Sequence, residues 1–243
     1  MPEDVGIVVI GRNEGERLVR CLRSIPRGSC AVRYVDSGST DGSLERARDQ
    51  GVEVLELGPE RPHCAARARS EGFDLLMREH SQVRYVQFID GDCELAVGWL
   101  ERARQTLEQH PDVVAVHGRV HERSPDLSPY NRLHEMEWEA AERSDQACFG
   151  GNFMVRAEAF AAIGGFDPAV IAAEDDDLAL RLRRRGGRVE RLADSMVLHD
   201  AAMTRFSQWW RRSVRLGHAY AQLSDMHGEA PERYFVPHES RRF

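Results

Sequence analysis

With 243 residues, 42% of them hydrophobic, and no uninterrupted apolar run of membrane-spanning length, the chain can bury one large core and reads as a soluble domain with an appended helical segment. Its net charge of −7 argues against a nucleic-acid partner, which needs a basic stripe to neutralise phosphates. All 33 Lys+Arg positions are arginine, so a P-loop lysine, a Schiff-base lysine and a pyridoxal-phosphate site are excluded. Any phosphate must then be met by arginine, backbone N–H groups or metal.

Cys21, Cys30, Cys64, Cys93 and Cys148 are odd in number and widely spaced. That speaks against a disulfide framework or structural zinc and for a reducing, cytoplasmic setting. A strand-like run begins at residue 5, so no signal peptide is expected.

Residues 5–10 form a continuous apolar run, which predicts a strand buried on both faces. The turn Gly11-Arg12-Asn13-Glu14-Gly15 follows, then a helix over 16–24 with Leu18, Val19 and Leu22 on one face. A second strand is predicted over 31–35, a polar turn at 36–43 and a helix over 44–50. A strand over 52–57, a helix over 67–79 and a fourth strand from Tyr85 complete the series. This alternation predicts an α/β fold with a mostly parallel central sheet and helices on both faces. A helix over 99–109 and a strand over 113–116 come next, then a Ser-, Pro- and Asp-rich stretch over 122–130 that reads as a loop. Gly150-Gly151 leads into a strand near 153–155, and Gly164-Gly165 forms another hinge.

The fourth strand stops at Asp90-Gly91-Asp92. Acids at the carboxyl end of a parallel strand sit where open α/β sheets bind ligands, and Gly91 lets both carboxylates turn to one point. Such oxygens suit Mg²⁺ or Mn²⁺; they would equally suit a solvated turn. Ala173-Glu174-Asp175-Asp176-Asp177 opens a helix through 185, where a helix dipole favours one or two acids, while four in succession need a further reason. Asp36 ends the second strand, where it could meet a nucleotide base or simply form an Asx turn. His199 follows the apolar run Met196-Val197-Leu198 and could be structural or a third ligand for Mn²⁺.

Asn13-Glu14, Asp36-Ser37-Gly38-Ser39-Thr40-Asp41, Ala68-Arg69-Ser70-Glu71-Gly72, Asp90-Gly91-Asp92 and Glu174-Asp175 with Asp177-Leu178 and Arg181-Leu182 occur in this order. Together they resemble the inverting, metal-dependent glycosyltransferases of family 2, which have the GT-A fold, over most of the chain. The resemblance implies a nucleotide-diphosphate sugar donor, UDP-linked in preference to GDP-linked, and a hydroxyl acceptor such as a saccharide or lipid-linked saccharide. It implies that Asp36 and Arg69 hold the base, Asp90 the ribose, and Asn13 and Glu14 the rest of the donor side. It makes Asp92 and His199 ligands of Mn²⁺ or Mg²⁺ and Asp175 the catalytic base of a single displacement. Residues 1–120 would then form the donor half, 121–203 the acceptor-side half and 204–243 a C-terminal helix and tail. Gly150, Gly151 and Glu174 would shape the acceptor side.

Residues 207–217 are amphipathic at helical spacing and partly resemble the Gln-x-x-Arg-Trp motif of processive family members, with Gln208 and Arg211 in place but Arg212 where that motif has tryptophan. Trp209, Arg211 and Arg215 could form an acceptor wall and diphosphate clamp. Alternatively the segment packs both tryptophans on the core, or lays a basic aromatic face on the cytoplasmic surface of a membrane. Two rival functions remain: a sugar-nucleotidyltransferase, whose glycine-rich basic loop is missing here, and a non-catalytic sugar-nucleotide-binding module, which would not need Asp175.

Overall fold

The computed structural model describes residues 4–26, 28, 30–141, 149–229 and 233–234. Cys148 lies outside the described residues; the other four cysteines are free thiols. The first half alternates as its apolar runs demand: β1 Val5–Gly11, α1 Glu16–Ser24, β2 Ala31–Asp36, α2 Ser43–Asp49, β3 Glu53–Glu56, α3 Ala65–Glu79 and β4 Tyr85–Asp90. Then come β5 Cys93–Leu95, α4 Trp99–Gln109, β6 Val113–Glu122, a 3-10 turn at Pro125–Leu127 and α5 Pro129–Ala141. The second half ends with β7 Phe153–Arg156, α6 Ala157–Ala162, α7 Glu174–Arg184, β8 Arg188–His199 and α8 Phe206–His227.

The eight strands form one sheet in the order β3-β2-β1-β4-β7-β6-β8-β5. From β3 to β4 it is parallel, as expected. Beyond β4 it is mixed: β7 runs antiparallel to both β4 and β6, β8 is parallel to β6, and β5 is antiparallel to β8. The order also requires curvature. β5 lies four places from β4, about 19 Å across a flat sheet at ~4.8 Å per strand. Only Gly91 and Asp92 separate the two strands, a link of about 11 Å at most. The sheet therefore curls, and the Asp90–Asp92 turn closes it.

Helices cover both faces. Leu18 and Leu22 of α1, Ala47 of α2, and Trp99, Leu100, Ala103 and Leu107 of α4 pack with one side of the sheet. Phe73 and Leu76 of α3, Phe160 of α6, and Leu178 and Leu182 of α7 pack with the other. Burying all these side chains supplies the main driving force for the fold.

Three elements differ from expectation. The loop expected over 122–130 is much shorter, because β6 continues to Glu122 and α5 begins at Pro129. The apolar run before His199 is the end of the twelve-residue strand β8. The C-terminal helix continues past Gly217 to His227, because Ala219, Leu223 and His227 recur four apart and are buried.

Candidate active site

The antiparallel register of β5 and β8 sets Cys93 opposite His199, which brings Asp92 to the histidine although they are far apart in sequence. Asp200 N–H donates to the Asp92 carbonyl at 2.9 Å and clamps the two segments. The Asp92 carboxylate lies 3.5 Å from His199 Nε2, with both side chains partly accessible (23% and 15%). Gly91 N–H donates to Ile10 O at 2.7 Å, and a Cβ at residue 91 would sit 3.1 Å from that oxygen, so the close approach of β1 leaves little room for a side chain.

On its other side His199 Nδ1 meets Glu122 Oε2 at 3.1 Å. The Glu122 side chain is completely buried and also accepts N–H bonds from Ala201, Ser124 and Asn131 Nδ2. Burial works against ionising Glu122, but its contacts with His134 and His199 outweigh that and hold its carboxyl down at about 2. Burial likewise opposes charge on His199, yet Asp92 and Glu122 overcome it and raise the imidazole to about 10. Asp92 has the reverse balance: burial pushes it up, but His199 and Arg17 bring it down to about 2. Once a cation displaces the imidazolium proton, a carboxylate beside an imidazole nitrogen is a donor set that fits Mn²⁺ or Mg²⁺. The Cys93 thiol beside them is buried and pushed well up by that burial, and a soft sulfur donor matches these hard cations less well than the carboxylate and imidazole do.

The second group of carboxylates enters from α7. Ala173 takes a left-handed φ of 57° and starts the helix. Each of three acids in its first turn then has a distinct partner. Glu174 pairs with the Arg69 guanidinium, which also reaches Asp90 at 2.6 Å. Asp177 accepts Arg181 Nε at 2.7 Å and contacts His227 Nε2 at 2.9 Å. Asp175 Oδ2 accepts the backbone N–H of Gly151 at 3.0 Å. Burial and neighbouring Glu174 raise the Asp175 carboxyl above the usual range, which makes it the more basic carboxylate when ionised. Asp90 is also raised by burial, against the pull of Arg69. Gly151 has φ +77°, and a side chain there would collide with Asp90 and come within 2.6 Å of Arg69. Neighbouring Gly150, at φ +57°, lies under Trp138, whose ring carbons would be 2.9 Å from an added Cβ.

The structure thus brings Asp90, Arg69, Gly151, Glu174 and Asp175 into one cluster, adjoining Asp92 and His199 through the short Asp90–Asp92 turn. Glu14 joins the rim: burial and Asp92 raise its carboxyl to about 7. Asn13 and Asp36 stand on the β2 side of β1. Asn13 has φ 59°, and its Oδ1 accepts Thr40 N–H at 2.7 Å while its own N–H donates to Ser39 Oγ. Asp36 accepts Tyr34 Oη at 2.8 Å and the N–H groups of Gly38 and Ser39, so it forms the Asx-type turn. The Arg69 guanidinium is engaged with Asp90 and Glu174.

In the C-terminal helix the alternative of packing both tryptophans on the core is not realised. Trp209 stacks on Tyr130 of α5 at 6.3 Å, and Trp210 is 54% exposed, so neither tryptophan enters the core. Gln208 Oε1 accepts the N–H groups of Thr204 and Arg205 and caps its own helix. Arg211 and Arg215 are exposed; Arg211 Nε donates to Ser207 O, and it is Arg212 that makes an ion pair, with Glu137. Glu122, Asn131 and His134, which complete the surroundings of His199, had no sequence signal beyond an acid and a histidine flanking an apparent loop.

The model described as glycosyl transferase family 2 matches residues 6–164, and one described as the N-terminal domain of galactosyltransferase matches residues 134–205. Glycosyltransferase AglE of Haloferax volcanii is 25% identical over 233 residues, covering 90% of this chain and 73% of that protein. The pre-mycofactocin glycosyltransferase of Mycobacterium tuberculosis is 29% identical over 244 residues, covering 92% of this chain but 48% of that protein. The chain therefore spans about half of the second relative's length.

Among solved structures, a mannosyltransferase from Pyrobaculum calidifontis in complex with GDP-Man and Mn²⁺ superposes with a TM-score of 0.68 at 21% identity, covering 96% of this chain and 67% of that one. Glucosyl-3-phosphoglycerate synthase from Mycobacterium tuberculosis, with Mn²⁺, UDP and glucosyl-3-phosphoglycerate, gives 0.68 at 18% identity, covering 97% and 81%. With the family 2 model spanning well over half of its residues and its fold matched almost throughout, the chain belongs to glycosyltransferase family 2 and has the GT-A fold.

Proposed function

We infer that this chain transfers a sugar from a nucleotide-diphosphate sugar to a hydroxyl acceptor by single displacement with inversion at the anomeric carbon. The observation that carries this reading is the arrangement around Gly151, whose backbone separates Asp90 from Asp175 while holding Asp175 by its N–H. A donor lying along the Asp90–Asp92 turn would present its anomeric carbon toward α7.

Asp175 would accept the proton of the attacking hydroxyl, for which burial and its raised carboxyl suit it. Glu174, through Arg69, fixes the position of Asp90, which would meet the donor ribose. Asp36 and Asn13 on the far side of β1, with Glu14 beside Asp92, would frame the base and diphosphate. Asp92 and His199 would hold Mn²⁺ or Mg²⁺, whose charge would stabilise the departing diphosphate. UDP-linked donors are favoured by the family resemblance and GDP-linked ones are the second choice; the two superposed enzymes were solved with GDP-Man and with UDP. The acceptor is a saccharide or a lipid-linked saccharide. The free thiols fit action in the cytoplasm, and no helix among the described residues is long and apolar enough to cross a membrane.

The test is nucleotide release from a panel of UDP- and GDP-sugars with Mn²⁺ and candidate acceptors. Release of the nucleoside diphosphate, abolished by EDTA, is the expected result. Release of pyrophosphate from sugar phosphate and nucleoside triphosphate would instead identify a nucleotidyltransferase, and binding without any release a non-catalytic module.

A further inference from the structure

The residues around His199 point beyond its pairing with Asp92. Its two ring nitrogens face two different carboxylates: Nε2 lies 3.5 Å from Asp92 Oδ2, and Nδ1 lies 3.1 Å from Glu122 Oε2. The two acids are not equivalent. Asp92 is 23% exposed, whereas the Glu122 side chain has no exposure. Glu122 is also held from several directions. Asn131 Nδ2 donates to Oε1 at 3.3 Å, Ala201 N–H reaches both oxygens, and Ser124 N–H reaches Oε1. Its own backbone N–H donates to Glu135 Oε2 at 2.6 Å, so main chain and side chain are both fixed.

We propose that Glu122 is the positioning residue of the metal site: it fixes the orientation and tautomer of His199 so that Nε2 is the ligating nitrogen. The inference rests on the assignment of Asp92 and His199 as metal ligands and extends it to a residue that touches neither donor nor metal. The reasoning is stereochemical. An ionised carboxylate can only accept, so a neutral His199 facing Glu122 must carry its proton on Nδ1, and the lone pair falls on Nε2 beside Asp92. The other tautomer would set an unprotonated Nδ1 against a buried carboxylate, and a flipped ring would face it with a C–H, both of which that environment disfavours. The same carboxylate binds Ala201, two residues after His199, so the ligand and the start of the following strap are held by one group.

A different use of these side chains is conceivable in chemical terms. Donor atoms of Glu122, His134 and His199 lie within 4.8 Å of one another, a two-histidine, one-carboxylate set. The positioning role fits better, because a cation there would have to displace the Ala201 N–H and the His199 contact from Oε2 of a fully buried acid.

The experiment is Mn²⁺ titration by electron paramagnetic resonance, with circular dichroism confirming the fold of each variant. E122Q should weaken Mn²⁺ binding 10–100-fold, the range for lost outer partners of metal ligands. H134F should stay within threefold of wild type. E122Q binding like wild type would overturn the proposal, and so would a tenfold or greater loss in H134F, which would make His134 a ligand. D92N separates the two levels of the argument: if D92N loses Mn²⁺ while E122Q retains it, only the positioning role fails, whereas undiminished binding in D92N removes the metal site itself. Because Glu122 is buried, the wild-type protein provides a second test. Long-range ¹H–¹⁵N correlation of the Mg²⁺-loaded chain, assigned with H199Q, should show the His199 proton on Nδ1. A proton on Nε2 would overturn the proposal without any variant having to fold.

Discussion

The backbone N–H of Gly151 donates to Asp175 Oδ2 at 3.0 Å. This one bond ties the glycine turn before β7 to the first turn of α7. It also fixes the carboxylate proposed as the base against the wall that carries Asp90. The bond needs the chain to pass at φ +77° through a space with no room for a side chain.

Gly151→Ala should therefore be damaging on two counts. The added methyl would meet the Asp90 carboxylate and lie 2.6 Å from the Arg69 guanidinium, in a backbone conformation that alanine seldom adopts. A loss of about 1–3 kcal/mol in stability is expected from the strained backbone, together with a fall in kcat larger than that in donor affinity. Chemical denaturation and steady-state kinetics on the same preparation check both.

Arg69 is 3% exposed and bridges Asp90 and Glu174. Removing it leaves two carboxylates facing each other without a counter-charge, a change that costs about 3–5 kcal/mol for a buried pair. Asp90 retains 30% exposure, so the lower end applies. Arg69→Met should then lower the melting temperature by about 6–12 °C, and adding Glu174→Gln should restore part of it. If the single and double variants melt together with wild type, the bridge has no structural weight.

His117 offers a pH test away from the site. Its ring is 3% exposed, packs edge-on against Phe149 at 5.5 Å, and its Nε2 has no hydrogen-bond partner among the described residues. Burial, aided by Arg191 and Arg183, depresses its pKa from 6.5 to about 3. The sign follows directly: above pH 6.5 the ring is neutral in both states, and below it the unfolded chain takes up a proton that the folded one refuses. Stability should fall as pH drops from about 6.5 toward 3, by about 1.4 kcal/mol per unit. Between pH 6.5 and 4.5, urea titrations should show wild type losing about 2.3 kcal/mol more than His117→Phe.

The parts of this molecule legible in the sequence are those written locally. The run from Tyr85 to Ile89 stops at Asp90-Gly91-Asp92, and a strand ending in acids is visible without a structure. The meeting of Asp92 with His199 is of another kind. It depends on β5, three residues long, pairing antiparallel with the end of β8, a register that no local pattern encodes. Helix α5 was hidden for a different reason. Its lead-in is rich in Ser, Pro and Asp, and its inner face carries Asn131 and His134, at helical spacing but polar. An apolar period could not reveal a helix whose buried side chains are hydrogen-bonding groups. In α8 a core-facing stripe at the tryptophans is one of the readings the sequence leaves open, but burial comes later in the helix, at Ala219, Leu223 and His227.

The most direct test of the central claim is the behaviour of Asp175→Asn under saturating nucleotide-sugar, Mn²⁺ and acceptor. The amide keeps the shape of the carboxylate but cannot take a proton from the incoming hydroxyl. The account predicts donor affinity within about threefold of wild type and a fall in kcat of about 10²–10⁴-fold, the usual contribution of a general base. Transfer at the wild-type rate with the acid removed would contradict it.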